Sequence, residues 1–247
     1  IRVKEESGLG CGLQGAMLLL SSASLVVEIA LTRVFSLAQG YHFAFMSVSL
    51  ALLGFGISGS LLGLLGLRLE RRSLAGPSEA MAWPPEAAHR WPFLPLCALL
   101  FSVSALASYL AANHLPFDSY RIAWEPVQWA YLVGYYAVLS LPFLFAGLFA
   151  GAVLASQPAA SGRLYAANLV GAALGSLVAV LALPYAGAPG EMTLAAGLGF
   201  VATALLLPGR RRALALLTAA TATLVWIAAS SPEWVEVKLS PYQSLSQ

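Results

Sequence analysis

The sequence predicts an all-α protein, a polytopic transmembrane helical bundle of about seven spans, on three observations. Hydrophobic residues make up 59% of the 247 and charged residues only 10%, against about 25% charged in an ordinary soluble domain. Apolar runs of about 20 residues, enough to cross roughly 30 Å of hydrocarbon, recur along the chain. The basic residues gather at alternate ends of those runs, the bias that orients membrane helices. A soluble monomer of this size still exposes much of its chain to water, and a chain with mean hydropathy +0.78 has too little polar surface to face it.

The runs fall at 11–37, 43–67, 92–112, 127–155, 164–185, 191–207 and 213–230. Residues 1–230 are therefore read as a transmembrane domain, and 231–247 as a short tail or the start of a soluble domain. Each run is read as a helix, because hydrocarbon offers no water to satisfy an open backbone. The segment before the first run starts at Ile1 and carries both signs of charge, and the run itself is too long for a signal-peptide core, so it is read as a retained span. Pro142 predicts a kink within the fourth run. Pro184, Pro189 and Pro208 punctuate span ends. The tight loop 39–42 predicts a hairpin of the first two spans, whereas 68–91 is a long, proline-containing connection. Segment 113–126 mixes aromatic and charged residues, as membrane interfaces do.

The side holding the N-terminus collects ten basic residues, Arg2, Lys4, Arg68, Arg71, Arg72, Arg90, Arg163 and the Arg210–Arg212 triplet, against Arg121 and Lys238 on the other. The N-terminal side is accordingly read as cytoplasmic. The net charge of +2 does not point to nucleic acid. The expected partners are the lipid bilayer and either other membrane subunits or further copies of the chain. Cys11 and Cys97 provide neither a disulfide framework nor metal-ligand spacing. Neither a metal site nor a cofactor is expected. Gly54-Phe-Gly56-Ile-Ser58-Gly59 imitates a dinucleotide loop but lies inside a span with no preceding strand, so that reading is rejected.

Charges inside spans are costly and each needs a physical reason. Glu28 lies more than halfway along the first run, with Ser24 and Thr32 one turn to either side. Arg33 lies five residues further on, roughly 140° around the helix, so it does not face Glu28 squarely and is expected to snorkel outward. His42, Tyr41, Asp118 and Arg121 are candidate partners for Glu28. Asn168 in the fifth run is expected to hydrogen-bond between helices. Small residues at four-residue spacing, Gly59 and Gly63, Gly147 and Gly151, Gly171 and Gly175, predict faces on which helices approach closely.

Two stretches carry a family resemblance. Ser21-Ser-Ala-Ser-Leu-Val-Val-Glu28-Ile-Ala-Leu-Thr-Arg33 with Leu50-Ala-Leu-Leu-Gly-Phe-Gly-Ile-Ser-Gly59 is one, and Leu164-Tyr-Ala-Ala-Asn168-Leu-Val-Gly-Ala-Ala-Leu-Gly175, ending Pro184-Tyr-Ala-Gly187, is the other. They resemble the membrane half of bacterial fused spermidine synthase-like proteins, in which a multi-span domain precedes an aminopropyltransferase-type domain. In the tail, Ser240-Pro-Tyr-Gln243 is similar to the Ser-x-Tyr-Gln strand that opens spermidine synthases. The resemblance implies that Gln243 contributes to a site for decarboxylated S-adenosylmethionine, and that catalytic residues lie beyond position 247. It further implies a bacterial inner-membrane location, an anchoring role, and binding or movement of a small solute such as a polyamine. From the residues alone, two other readings stand beside it: a structural or assembly subunit of a larger membrane complex, and a small transporter using Glu28. Seven spans would set the C-terminal tail outside the cytoplasm, in conflict with a substrate made in the cytosol.

The charge tally makes a direct prediction. Single cysteines introduced into 68–91 or 208–212 are expected to resist a membrane-impermeant thiol reagent in intact cells and to react after lysis. Ready labelling in intact cells would reverse the orientation.

Overall fold

A computed structural model describes residues 2–38, 45–72, 93–114, 121–122 and 124–207 of the protein, with the side chains of all of these except 2–11 and 66–72. The regular structure of the described residues is helical: α1 (Arg2–Ala38), α2 (Met46–Arg72), α3 (Phe93–His114), α4 (Val127–Leu139), α5 (Leu141–Ser156), a 3-10 turn at Pro158–Ala160, and α6 (Ser161–Leu206). Among the described residues, five helical stretches are long and apolar enough to cross a membrane, with α4 and α5 together forming one of them. This corrects the expected count of seven. The runs 164–185 and 191–207 belong to the single helical element α6, and the run 213–230 lies outside the described residues.

The reason for the merger is also the main feature of the fold. Between the two runs the chain reads Pro184-Tyr-Ala-Gly-Ala-Pro-Gly190, which is too short to form a separate loop. A single residue, Gly187, leaves the helical conformation, at φ 61° and ψ −177°. That region is essentially open to glycine only. Pro189 falls in the first turn of the helix beyond Gly187, where its missing N–H breaks no helical bond.

The chain reverses at this point. A straight helix would separate Gly171 from Leu205 by about 50 Å at about 1.5 Å per residue. Yet Gly171 sits on the backbone of Leu18, while Leu205 lies against Gly12 and Gly15, less than two turns away along α1. The first arm of α6 therefore runs parallel to α1, with Gly171 on Leu18 and Gly175 on Ser22, and the second arm returns antiparallel to it. α1 is packed against both arms. Ala16, Ala23, Val26, Val27, Ala30 and Leu31 are fully buried there, as lipid would not require of a peripheral helix.

A second pair forms beside the first. Gly54 packs on Ser140 and Phe143, Gly147 on Ser58, and Gly151 on Leu62. Each step advances both helices together, so α2 and α5 run parallel. α3 completes the bundle between the two pairs, with Ser102 and Phe101 against Gly199 of the second arm.

The kink predicted at Pro142 is present, as a division of the fourth run at Ser140, with Pro142 in the first turn of α5. Proline cannot donate to the carbonyl four residues earlier, which is that of Val138. The Ser108 hydroxyl of α3 lies 3.2 Å from that carbonyl, sharing its one proton between it and the Ser104 carbonyl of its own helix at 2.7 Å, the kind of neighbouring-helix contact that lets proline persist in a span. Tyr135 ties α4 to α3 further along, donating to the Ala112 carbonyl at 2.6 Å.

Away from these contacts the surface is apolar. Leu52, Phe55, Leu64, Leu177, Val180 and Leu181 are all exposed, an arrangement suited to hydrocarbon rather than to water.

The packing makes a paired prediction. At Gly175 a Cβ would collide with the Ser22 backbone, which cannot move aside, whereas at Gly59 nothing lies within 4 Å. Gly175→Leu is expected to cost at least about 1–3 kcal/mol, seen as a lower melting temperature in detergent, and Gly59→Leu to leave melting unchanged. Equal melting of the two variants would disprove the α1–α6 register.

Candidate functional site

A cleft of about 440 Å³ is bounded by α1, α2, α5 and the first arm of α6. It exists because small residues meet there. Gly147 and Gly151 bring α5 close to α2, while Gly59, Ala146, Ala150 and Ala172 leave the wall thin. Apolar groups dominate the lining. Its polar members are Ser21, Ser24, Ser58 and Asn168.

The three hydroxyls already donate to backbone carbonyls. Ser21 donates to Asn168 at 2.7 Å, Ser24 to Leu20 at 2.9 Å, and Ser58 to Phe55 at 2.7 Å. A hydroxyl has one proton and two lone pairs. With the proton spent, each oxygen can offer a ligand only acceptor capacity. The cleft is thus a narrow apolar slot with acceptors on its wall, a chemistry that favours a slender solute bearing N–H donors.

Glu28 lies one turn beyond Ser24 on α1, half-buried. Its backbone carbonyl accepts from Thr32 at 2.8 Å, and the Thr32 and Ser47 hydroxyls meet at 2.5 Å, joining α1 to α2 at this level. No hydrogen bond or ion pair to the Glu28 carboxylate occurs among the described residues. Of its expected partners, Arg121 pairs instead with Glu125 at 3.3 Å, and His42, Tyr41 and Asp118 lie outside the described residues. Arg33 is exposed on α1, as a snorkelling side chain would be.

Asn168 does join two helices, but through its backbone carbonyl, which accepts from Ser21. Next to it the Gly171 carbonyl accepts from Ser22 at 2.6 Å. The expectation of small-residue packing is met at Gly147, Gly151, Gly171 and Gly175, and not at Gly59 and Gly63, whose faces are open. Those two glycines share the four-residue spacing of the others, but α5 packs on the Gly54, Ser58 and Leu62 side of α2, leaving Gly59 at the edge of the cleft. Cys97 is buried and free. Among the described residues no cluster of His, Cys, Asp and Glu is arranged to hold a metal ion. Gln243 and the arginine triplet lie outside the described residues, as does the Cys11 side chain.

The sequence reading missed Glu191. It stands at the boundary of an apolar run and reads there as a loop or interface residue, yet it is fully buried with neither carboxylate oxygen hydrogen-bonded. The only signal available was its position just after Gly187-Ala-Pro-Gly, a segment too short to carry it out of the bundle.

Comparison with known proteins found no match among family models, curated proteins or solved structures.

The Ser22 bond is a specific test of this interface. Ser22→Ala is expected to cost about 0.6 kcal/mol, the average for hydrogen bonds between membrane helices, and Ser22→Leu several times more, measured as lost thermal stability. Tolerance of leucine at this position would show that α1 and α6 do not approach as closely as described.

Proposed function

We propose that this chain is a membrane-embedded solute-binding domain, of the kind that precedes a soluble domain in spermidine synthase-like fusions, located in a bacterial inner membrane. The observation that carries the binding role is the cleft of about 440 Å³, whose three hydroxyls have spent their protons on the backbone. A slender organic cation such as a polyamine suits it. The methylene chain would lie along the glycine and alanine wall, the amine N–H groups would reach serine oxygens, and Glu28 would supply a carboxylate one turn from Ser24. Counting the two arms of α6 separately gives six passages through the bilayer, one more than the five apolar stretches. That even number returns Leu206 to the side of the N-terminus, which the basic residues mark as cytoplasmic.

The test is spermidine binding to the purified chain, followed by calorimetry or thermal shift. Gly59→Phe should fill the cleft without a clash and abolish binding while melting stays unchanged. Glu28→Gln should weaken binding at least tenfold and keep the fold. No spermidine binding by the unaltered chain, or unchanged binding in both variants, would exclude this reading.

A second reading is favoured by the open face of α2, where a Cβ at Gly56, Gly59 or Gly63 would meet nothing within 4 Å. Close approach of another helix at this face would make the chain an assembly subunit. Cross-linking between cysteines placed at Gly56 or Gly63 in the membrane, if seen, would support it.

A further inference from the structure

The strongest observation left unused by the cleft is at the far end of the α6 hairpin. Glu191 is fully buried and both its carboxylate oxygens lack a hydrogen-bond partner. The second arm fixes what surrounds it. Gly199 rests on Ser102, and Leu106 packs on Ala196 and Phe200, so this arm and α3 are antiparallel. Two turns and more back from Gly199, about 12 Å, Glu191 is level with Tyr109–Asn113 of α3. By the same geometry from Leu205 on Gly12 and Gly15, it is level with Glu28 of α1.

Asn113 is buried as well, and its side-chain amide lies beside the Tyr109 hydroxyl one turn back on the same helix. The titratable groups at this level are thus Glu191 itself, Glu28 from α1, the buried Tyr109 and the exposed His114 from α3, and the buried Tyr135 of α4, whose hydroxyl reaches the Ala112 carbonyl. Arg33, further along α1, is exposed, and Arg121 forms an ion pair with Glu125 at 3.3 Å. No cation among the described residues neutralises Glu191.

An ionised carboxylate enclosed without a partner is among the most expensive groups a protein can hold, and a proton removes most of that cost. We propose that Glu191 is an intramembrane proton-binding site, carrying its proton in the packed bundle. Release requires a donor for the carboxylate, and Asn113, whose amide carries two N–H groups and engages Tyr109 with its side chain, lies in the same layer. Glu191 starts the arm that pivots at Gly187, where a break in the helix ladder allows the arm to shift relative to α3. Helix interruptions of this kind commonly adjoin ion sites in membrane proteins. The step is a simple dissociation: the carboxyl O–H bond breaks, the proton passes to water, and the carboxylate accepts from Asn113. This inference does not depend on the cleft or on its ligand.

The test is infrared spectroscopy of the full chain in lipid nanodiscs at neutral pH, with hydrogen–deuterium exchange to identify the carbonyl stretch of a protonated carboxyl group. The unaltered protein should show that band, Glu191→Gln should lose it, and Glu28→Gln should retain it. Glu191→Gln should also fold and melt normally, because a neutral amide replaces a neutral acid. Asn113→Leu should push loss of the band to higher pH. Absence of the band at neutral pH, or its persistence in Glu191→Gln, would overturn the proposal. So would a Glu191→Gln variant that fails to fold while Glu191→Asp folds, since that would show a requirement for negative charge.

Discussion

Close approach of α1 to the two arms of α6 is the constraint on which the rest of the structure depends. In lipid there is no hydrophobic drive to bring helices together, so association relies on packing and on interhelical hydrogen bonds. Gly171 and Gly175 supply the packing by letting the first arm rest on the α1 backbone. Ser21 and Ser22 supply the hydrogen bonds, donating to carbonyls that a bulkier neighbour would hide. The two effects require each other, because serine is too short to bridge helices at ordinary separation. Gly187 then brings the second arm back along α1, so one helix is packed on two sides by a single segment of chain.

The other elements depend on that core. α3 is held on the second arm by Ser102 beside Gly199 and in turn supports α4 and α5. Its Ser108 hydroxyl, shared with the Ser104 carbonyl, approaches the carbonyl that Pro142 cannot serve, so the break in the fourth span faces the bundle instead of lipid. α2 is held mainly through Ser58 and Leu62 against Gly147 and Gly151. It meets α1 at Thr32 and Ser47, and one to several turns away a cleft lies between them. The site and the fold thus share a cause: the glycines that bring α5 to α2 also thin the wall of the cavity.

The polar groups divide into two kinds. Most hydroxyls in the bundle are occupied by backbone carbonyls and act as structure, as with Ser24, Ser102, Ser104 and Thr203. The Glu191 carboxylate is not so occupied, both its oxygens lacking a partner although the residue is fully buried, and it lies close to the Gly187 turn.

Much of this was legible in the sequence. The helical class comes from hydropathy, because lipid forbids any other way of closing the backbone. The kink at Pro142 comes from a missing N–H, and close contact at Gly147, Gly151, Gly171 and Gly175 from small residues on one helical face. Span number was not legible, since Pro184 to Gly190 reads equally as a loop or as a continuous element, and only the position of Leu205 beside Gly12 shows that the chain turns back. Gly59 and Gly63 have the same spacing as the glycines that pack, and periodicity cannot tell a helix which face meets a partner. For Glu191 the sequence pointed the wrong way. Local composition sets it at a span boundary, whereas its burial is decided by α1 and α3, whose residues lie far away in the chain. Sequence determines what each segment can tolerate through properties local to it. Pairing, reversal and burial depend on contacts between distant segments, and the tertiary structure alone decides them.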